Sequence, residues 1–371
     1  MIKVIIYSPA ELAQSSYVHT GLFELEKEKY LKCNVKLRLK KDLGTLKIEK
    51  NRIFFSMSPQ PKTSFYDIIY NKDRTIKIAM DLYDDPSKFS IPALEDCKFI
   101  FKRNYQKKYI KNIPTKYRAK ILPLGLITGC TTKYRHHMLK TYFGNFIYLC
   151  LVNIKFDRML FLRISTILNN FKNDYLFDKN NRDIELLRSF NFSDKEQVLF
   201  QTRCFDDENK DTKKLHFNRN NIISELKKKL NEQFKGGFLK SKVSERDYQS
   251  NISKIKKKNY YNEIESSQVT VYSNGLLTSP SWKMVEYLCK GKVILSEKLY
   301  TELPFKLENN KHLVYYKNPQ DCGEKSKIIL NNKNKIRFLS QNARKYFEKY
   351  IDPPRNLKRI IQLVIDSEKM S

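Results

Sequence analysis

The sequence lacks the features that mark secreted, disulfide-bonded or membrane-spanning proteins. Its seven cysteines are dispersed and odd in number, with no Cys-x-x-Cys pair, which argues against a disulfide framework and a zinc site. Its most apolar stretch, residues 146–154, is too short for a transmembrane helix, which needs about 20 residues. The first residues place Lys3 in a strand-length apolar run, unlike a signal peptide. These absences predict a cytoplasmic protein with reduced thiols, soluble or peripheral on the inner face of the membrane.

Acidic residues are scarce relative to basic ones. The chain has 71 Lys and Arg against 40 Asp and Glu, a formal net charge of +31, and such an excess is typical of proteins with a polyanionic partner. Lysine is spread widely and outnumbers arginine, a usage that AT-rich coding also produces, so a lysine-coated surface without a selected partner is an alternative. If the basic surface is selected, we expect an anionic membrane leaflet rather than nucleic acid, because no nucleic-acid motif with regularly spaced aromatics is present.

Short apolar runs between longer connections predict an α/β protein in two halves. The first half begins with a strand at 3–7 and a helix entered at Ser15 or Ser16. Runs this short favour a parallel sheet over a meander. Residues 133–194 have a helical pattern and are predicted to connect the halves. The predicted further strands of the first half are 52–55, 75–80, 98–101 and 120–122, and the predicted domains are 1–132 and 195–353, followed by a C-terminal helix at 354–371.

The second half alternates strands and helices in the same way. A strand at 197–203 precedes an amphipathic helix whose apolar face includes Ile222 and Leu226. We predict that this helix ends at Gly236-Gly237, because glycine adopts the left-handed C-cap conformation easily. A strand at 268–272 follows.

Residues 275–297 carry the clearest functional signal. They are predicted to form a loop with two serines, a helix from Trp282 to Gly291 and a buried strand at 292–296. This order places a helix N-terminus, with its free N–H groups and partial positive charge, at a sheet edge where an anion such as a nucleotide diphosphate can bind. Glu286 within that helix can accept hydrogen bonds from a ribose. The segment therefore predicts a sugar-nucleotide site.

Two basic residues near this segment are candidate phosphate ligands. Arg203 follows the strand at 197–203 and can bind a phosphate through two hydrogen bonds, whereas Lys283 can add a point charge. Each candidate has a structural alternative: Arg203 can pair with Asp206 or Asp207, and Lys283 can be an ordinary exposed lysine. Glu286 can likewise pair with Lys283 or Lys290 along the helix.

The first half offers two candidates for acid–base chemistry. His19 is placed at a predicted strand-to-helix turn and is a candidate general base, because its unperturbed pKa lies near neutrality. The alternative is a hydrogen-bonded structural histidine. Asp81 follows the strand at 75–80 and is the second candidate, with helix capping or a turn as its alternative role.

A set of short motifs spans most of the chain. In the second half these are Val198-Leu-Phe-Gln-Thr-Arg203, Asn218-Arg219, Phe234-Lys-Gly-Gly237, Asn274-Gly-Leu, Ser281-Trp-Lys-Met-Val-Glu-Tyr-Leu, Val293-Ile-Leu-Ser-Glu297, Leu303-Pro, Asn342 and Tyr350-Ile-Asp-Pro-Pro354; in the first half they are Tyr17-Val-His-Thr-Gly-Leu-Phe, Asp81-Leu-Tyr-Asp84, Phe101-Lys-Arg103 and Leu122-Pro-Leu-Gly125. Together they resemble bacterial GT-B glycosyltransferases of capsule and O-antigen synthesis. The resemblance implies two Rossmann-like domains facing a central cleft, with a nucleotide-sugar donor held mainly by the C-terminal domain. It also implies a glycan or lipid-linked acceptor held mainly by the N-terminal domain, and a final helix that crosses back to that domain.

The resemblance also assigns roles to residues. It implies that Arg203, Ser281 and Lys283 bind the diphosphate and Glu286 the ribose, and that His19 or Asp81 serves as base or acceptor ligand; Thr278 and Ser279 complete the donor-binding set. Many retaining members carry two glutamates eight positions apart, and Thr278 stands where the first would be, so retention and inversion both stay open. No metal or other cofactor is implied, because basic groups and the helix N-terminus can stabilise the departing diphosphate. A nucleic-acid-binding protein and a catalytically inactive glycan-binding relative are the alternatives.

Overall fold

The computed structural model describes residues 1–8, 12–38, 42–60, 62–71, 74–134, 136–153, 160–179, 182–205, 209–248, 251–252 and 257–370. The chain divides into two compact units. The first unit comprises Met1–Leu186, Glu302–Pro304 and Ile351–Ser371, and the second comprises Leu187–Thr301 and Phe305–Tyr350. Each unit contains a six-stranded sheet with helices, which confirms the predicted α/β class with two units.

The first unit contains most of the chain's strands. Its elements, in chain order, are β1 (Ile2–Ser8), α1 (Leu12–Lys27), β2 (Leu31–Leu37), β3 (Thr45–Glu49), β4 (Arg52–Ser56), β5 (Thr63–Tyr70), β6 (Arg74–Asp81), β7 (Lys88–Ser90), α2 (Ile91–Asp96), β8 (Phe99–Lys102), α3 (Lys107–Ile110), α4 (Thr115–Arg118), β9 (Ile121–Pro123), β10 (Cys130–Thr131), α5 (His136–Asn153), α6 (Leu160–Lys179), β11 (Arg182–Asp183) and α7 (Ile184–Arg188), the last of which contains the boundary between the units.

The main sheet of the first unit is mixed, so the prediction of a parallel sheet is wrong for this half. Its strand order is β2-β1-β5-β6-β8-β9, and β5 runs antiparallel to both of its neighbours. Only three residues separate β5 from β6, and so short a connection joins strands as a hairpin. The predicted strand at 52–55 forms β4 in a separate antiparallel sheet, β4-β3-β7. Its two-residue turn, Lys50 and Asn51, has positive φ at both positions, as hairpin turns of this length favour.

The sheet of the second unit is parallel throughout, with the order β14-β13-β12-β15-β16-β17. Apolar side chains such as Phe200, Ile223 and Val271 form its buried core with the helices. The elements are β12 (Val198–Arg203), α8 (Lys210–Leu230), β13 (Phe234–Leu239), α9 (Lys242–Asp247), β14 (Asn251–Ile252), α10 (Lys257–Ser266), β15 (Val269–Tyr272), α11 (Trp282–Cys289), β16 (Val293–Ser296), β17 (Val314–Tyr315), α12 (Pro319–Leu330) and α13 (Lys333–Tyr346).

The predicted end of α8 at Gly236-Gly237 is wrong. The helix stops at Leu230, and Asn231 adopts positive φ instead. Both glycines lie inside β13 with φ near +145°. A Cβ on Gly236 would lie 1.9 Å from the carbonyl oxygen of Phe200 in β12, so this glycine permits two neighbouring strands to approach.

The last helix, α14 (Pro353–Lys369), belongs to the first unit. Its apolar face, which includes Leu357 and Ile361, is buried. The Tyr17 hydroxyl of α1 donates to the carbonyl of Ile351 at 2.5 Å and accepts from Asn356 Nδ2 at 3.1 Å. None of the described helices is long and apolar enough to span a bilayer.

Candidate functional site

A buried arginine ties the carboxyl ends of β12 and β15 together. Arg219 of α8 donates to the carbonyls of Arg203 and Asn274 at 3.0 and 3.2 Å, and to the Ser273 hydroxyl at 3.2 Å. Its side chain is buried, and burial lowers the pKa of the guanidinium to about 10, with the nearby Glu297 carboxylate acting in the opposite sense. Arg219 thus holds the edge of the sheet at which ligands bind in parallel α/β proteins.

Glu297 extends this network to the end of β16. Its carboxylate accepts from Asn218 Nδ2 at 2.6 Å and from the backbone and side-chain nitrogens of Asn274 at 2.8 and 3.1 Å. The carboxyl ends of three adjacent strands are therefore linked by charge-assisted hydrogen bonds. This rigid edge positions the loop that follows β15.

That loop is strained at two positions without glycine. Leu277 and Thr278 both have positive φ, +53° and +58°, a conformation that costs side-chain-bearing residues free energy and persists where the surroundings hold it. The Gly275 N–H donates to the Ser279 carbonyl at 2.9 Å, and the Ser279 N–H donates to Leu276 at 3.0 Å. Ser279 is buried, so the loop is closed by its own backbone and delivers the chain to α11 in a defined direction.

Ser281 occupies the N-cap position of α11 without capping it. Its backbone is extended and its side chain makes no capping hydrogen bond, while its N–H donates to the Tyr272 hydroxyl at 3.0 Å. Within the described part of the chain, the buried Ser281 Oγ has no hydrogen-bond partner, and the same holds for Gln201 Oε1 and Asn274 Oδ1. Buried polar atoms are normally satisfied, so three unsatisfied atoms from residues at this edge suit a polar ligand.

The two predicted phosphate ligands have different surroundings. Lys283 is half-buried, and its ammonium donates to the carbonyl of Gln201 in β12, so it is not an ordinary exposed lysine. Arg203 is exposed, and its guanidinium lies 4.9 Å from the centre of the Phe205 ring. No carboxylate among the described residues forms an ion pair with Arg203. Asp206 and Asp207, its alternative partners, lie outside the described residues.

Glu286 lies one helical turn beyond Lys283 and is 2% exposed. The two lysines considered as its partners each contact another group. Lys283 contacts Gln201, and Lys290 pairs with the carboxylate of Glu265 at 2.5 Å. Glu286 is the fifth of the eight residues of α11, and its carboxylate can accept hydrogen bonds from hydroxyl groups.

A cavity of about 440 Å³ opens in the second unit beside Phe205. Its lining includes Lys213, His216, Arg246, Asp247 and Tyr248, and Arg246 pairs with Asp247 at 2.7 Å. His216 accepts the N–H of Phe205 at 2.9 Å and stacks on that ring. Rings and polar groups in one lining offer stacking and hydrogen-bond contacts to a planar molecule.

His19 does not lie at a strand-to-helix turn, and that prediction is wrong. It lies within α1, which begins at Leu12, and its ring has no exposed surface. Nε2 is 3.2 Å from the Tyr66 hydroxyl, and burial lowers the pKa of the imidazole to about 4. A neutral ring sealed from solvent matches the alternative of a structural histidine, because in this conformation the ring cannot contact a sugar acceptor.

Asp81 is part of a buried ion pair. Its carboxylate lies 2.8 Å from Lys102 Nζ, and both side chains are almost completely buried. Lys102 also donates to the carbonyls of Asp85 and Lys88 at 3.3 and 2.9 Å. The pair joins the ends of β6 and β8, so the structure places Asp81 in a cross-strand link rather than on an open surface.

Arg219 and Glu297 both fall within short motifs of the sequence, Asn218-Arg219 and Val293-Ile-Leu-Ser-Glu297, but neither is among the predicted site residues. For Arg219 a signal was present. Thr212, His216, Arg219, Ile223 and Leu226 recur every three or four residues on the buried face of α8. A charged residue on such a face needs a specific set of partners.

No protein family matches the chain, and no curated protein matches it. Solved structures with weak similarity include TarM of S. aureus, at 11% identity over 98% of this chain and 99% of TarM, with a TM-score of 0.42. HepE of Anabaena, solved with UDP-glucose, has 11% identity over 74% of this chain and 79% of HepE, with a TM-score of 0.34. The GtfA/B complex has 9% identity and a TM-score of 0.32, and 54% of this chain covers 44% of that one. TM-scores below 0.5 at such identities assign neither a family nor an activity.

Proposed function

We propose that the second unit binds a nucleotide-sugar and that the protein is a glycosyltransferase with a glycan or lipid-linked acceptor. The observation that carries this proposal is the set of groups at one edge of a parallel sheet: an exposed guanidinium at Arg203, the ammonium of Lys283, the uncapped start of α11 and the buried carboxylate of Glu286. Cations beside a helix N-terminus favour a diphosphate.

The chemistry of transfer requires stabilisation of the leaving group. When the bond between the sugar and the phosphate oxygen breaks, negative charge develops on the nucleoside diphosphate. Preorganised hydrogen-bond donors of the protein can stabilise this charge without a metal ion. Arg203, Lys283 and Ser281 would supply those donors, with Thr278 and Ser279 shaping the loop beside them. Glu286 would accept the ribose hydroxyls, and the rings of the cavity beside Phe205 can stack on the base. We assign the acceptor's proton to neither His19 nor Asp81, because both are buried.

A thermal-shift panel of UDP-, GDP-, CMP- and dTDP-linked sugars, with the free nucleotides, tests donor binding. A ligand that binds only the native state raises Tm by mass action, so we expect one nucleotide class to raise it. Arg203→Ala and Lys283→Ala should each weaken the Kd about tenfold or more, since a charge-assisted hydrogen bond contributes about 1.5–3 kcal/mol. The matched controls, Lys333→Ala and Arg337→Ala on the exposed face of α13, should leave the Kd unchanged.

Three outcomes would overturn parts of this proposal. A folded protein that responds to no nucleotide class would refute the donor site. Salt-sensitive retention on DNA in the absence of donor binding would favour a nucleic-acid-binding protein instead. Donor binding without release of nucleoside diphosphate, with or without acceptor glycans, would indicate an inactive relative.

A further inference from the structure

The exposed face of α5 is apolar, the reverse of what a helix on a protein surface normally shows. Five of its described side chains are exposed, and Lys140 is the only charged one. The other four are Leu139, Phe143, Ile147 and Leu151, exposed by 56, 59, 44 and 63%. A spacing of four residues aligns side chains along one side of a helix. They therefore form a continuous apolar stripe.

Other residues of α5 attach the helix to the first unit. The Ser8 hydroxyl of β1 donates to the Thr141 carbonyl at 3.1 Å and to Asn145 Oδ1 at 2.6 Å. Phe146 packs against Phe171 of α6 with ring centres 5.5 Å apart. Phe143 of the stripe also contacts Phe171, with ring centres 6.5 Å apart. Leu139, Ile147 and Leu151 stay exposed on the outward side of the anchored helix.

The neighbouring helix α6 exposes apolar residues as well. Phe161, Leu168 and Tyr175 recur every seven residues and are exposed by 84, 53 and 47%, and Leu162 and Leu176 are exposed beside them. Residues 133–179, which contain both helices, carry eight Lys and Arg but three Asp. Among the described side chains of this segment, Lys133, Lys140 and Lys172 are exposed. An apolar face combined with exposed cations is the pattern of helices that lie in the interface of a membrane.

We propose that the α5–α6 hairpin lies in the headgroup region of an anionic bilayer, with the α5 stripe inserted among the first acyl carbons. A bilayer supplies both an apolar interior and negative headgroups for the lysines. A second copy of this chain would instead bring another net charge of +31 to the same face, which opposes association at low ionic strength. None of the described helices can span a membrane, so the hairpin lies in the interface rather than across it.

Vesicle flotation with the full chain tests this proposal without any donor, so its result is independent of the proposed transferase activity. We expect binding to phosphatidylcholine vesicles that contain phosphatidylglycerol and much weaker binding to phosphatidylcholine alone. Binding to the anionic vesicles should also weaken in about 0.5 M salt, because salt screens the attraction between lysines and headgroups. The double variant Ile147→Ser/Leu151→Ser should reduce partitioning about tenfold or more, because each buried CH₂ contributes to binding. These replacements leave the charge unchanged.

The matched control is Ile328→Ser/Phe338→Ser, which removes two exposed apolar side chains from α12 and α13 of the second unit. It should bind vesicles like the unaltered chain. Lys140→Gln/Lys172→Gln should weaken binding only to the anionic vesicles. Equal binding by the stripe variant and the control, at equal Tm, would overturn the proposal. The proposal would also be overturned if the unaltered chain bound no vesicles and formed a dimer that the stripe variant did not form. The α5 stripe would then be covered by a second copy of the chain.

Discussion

At the scale of single residues, burial decides what His19 does. A histidine whose folded pKa is about 4, against about 6.5 when unfolded, binds its proton more weakly in the native state. The unfolded chain therefore gains protons first as the pH falls, and the native state loses stability between pH 6.5 and 4. The free energy that the buried neutral His19 ring contributes to folding is therefore fully present only above the pKa that the histidine has in the unfolded chain.

We expect the free energy of unfolding to fall by about 2 kcal/mol more between pH 7 and pH 5 in the unaltered chain than in His19→Gln, following the linkage of protonation to folding. Urea unfolding at the two pH values, followed by circular dichroism, measures this difference. A pH dependence that is identical in both proteins would show that His19 is not buried in the neutral form.

Local sequence patterns reveal some residues of the candidate site and not others. Arg203, Lys283 and Glu286 could be proposed as site residues because a strand end and a helix are each visible as a local sequence pattern. Arg219 was missed because its role depends on acceptors 16, 54 and 55 positions away in sequence. No local pattern states which carbonyls a buried guanidinium will reach.

At the scale of elements, the parallel sheet was predictable and the mixed one was not. Strands predicted at 197–203, 268–272 and 292–296 appear as β12, β15 and β16, within one residue at each end. Each is a short apolar run bounded by polar residues or glycine, which is what a strand buried on both faces requires. In the first unit, direction depends on connection length, and the apolar pattern of β5 does not reveal its hairpin with β6.

Gly236 allows two reasons for a glycine in a strand to be told apart. One is a clash of an added Cβ with the neighbouring strand, and the other is the positive φ of the backbone. Gly236→Ala must place Cβ 1.9 Å from the Phe200 carbonyl oxygen, whereas Gly237 has a similar φ and no such neighbour. We expect Gly236→Ala to destabilise the second unit by about 3 kcal/mol or more, and Gly237→Ala by clearly less. Thermal unfolding of both variants measures the difference. Equal losses would mean that φ alone, and not strand spacing, requires glycine at Gly236.

At the scale of the whole molecule, the first unit is assembled from distant parts of the sequence while the second is nearly continuous. The core of the first unit includes Leu357, Ile360 and Ile361 of α14, all buried. Gly21 of α1 packs so closely on Pro353 that a Cβ there would lie 2.7 Å from its carbonyl oxygen. The first unit is therefore incomplete without the last helix.

A chain ending at Tyr350 should show this directly. We expect it to lose the cooperative unfolding of the first unit, because several buried aliphatic side chains are removed and each contributes about 2–5 kcal/mol. The second unit, whose residues all remain, should still respond to the donor. Calorimetry and the thermal-shift panel separate the two. A first unit that unfolds cooperatively in the shortened chain would contradict the role given to α14.

The late position of α14 also bears on how the protein is made. Domains generally fold as units while the ribosome is still extending the chain, the N-terminal one first. Here α14 completes the first unit only after every residue of the second unit has been translated. Until then the face of α1 that packs against α14 is uncovered. A chain cut before Pro353 would therefore lack the helix that covers α1, and proteases would reach the incomplete first unit.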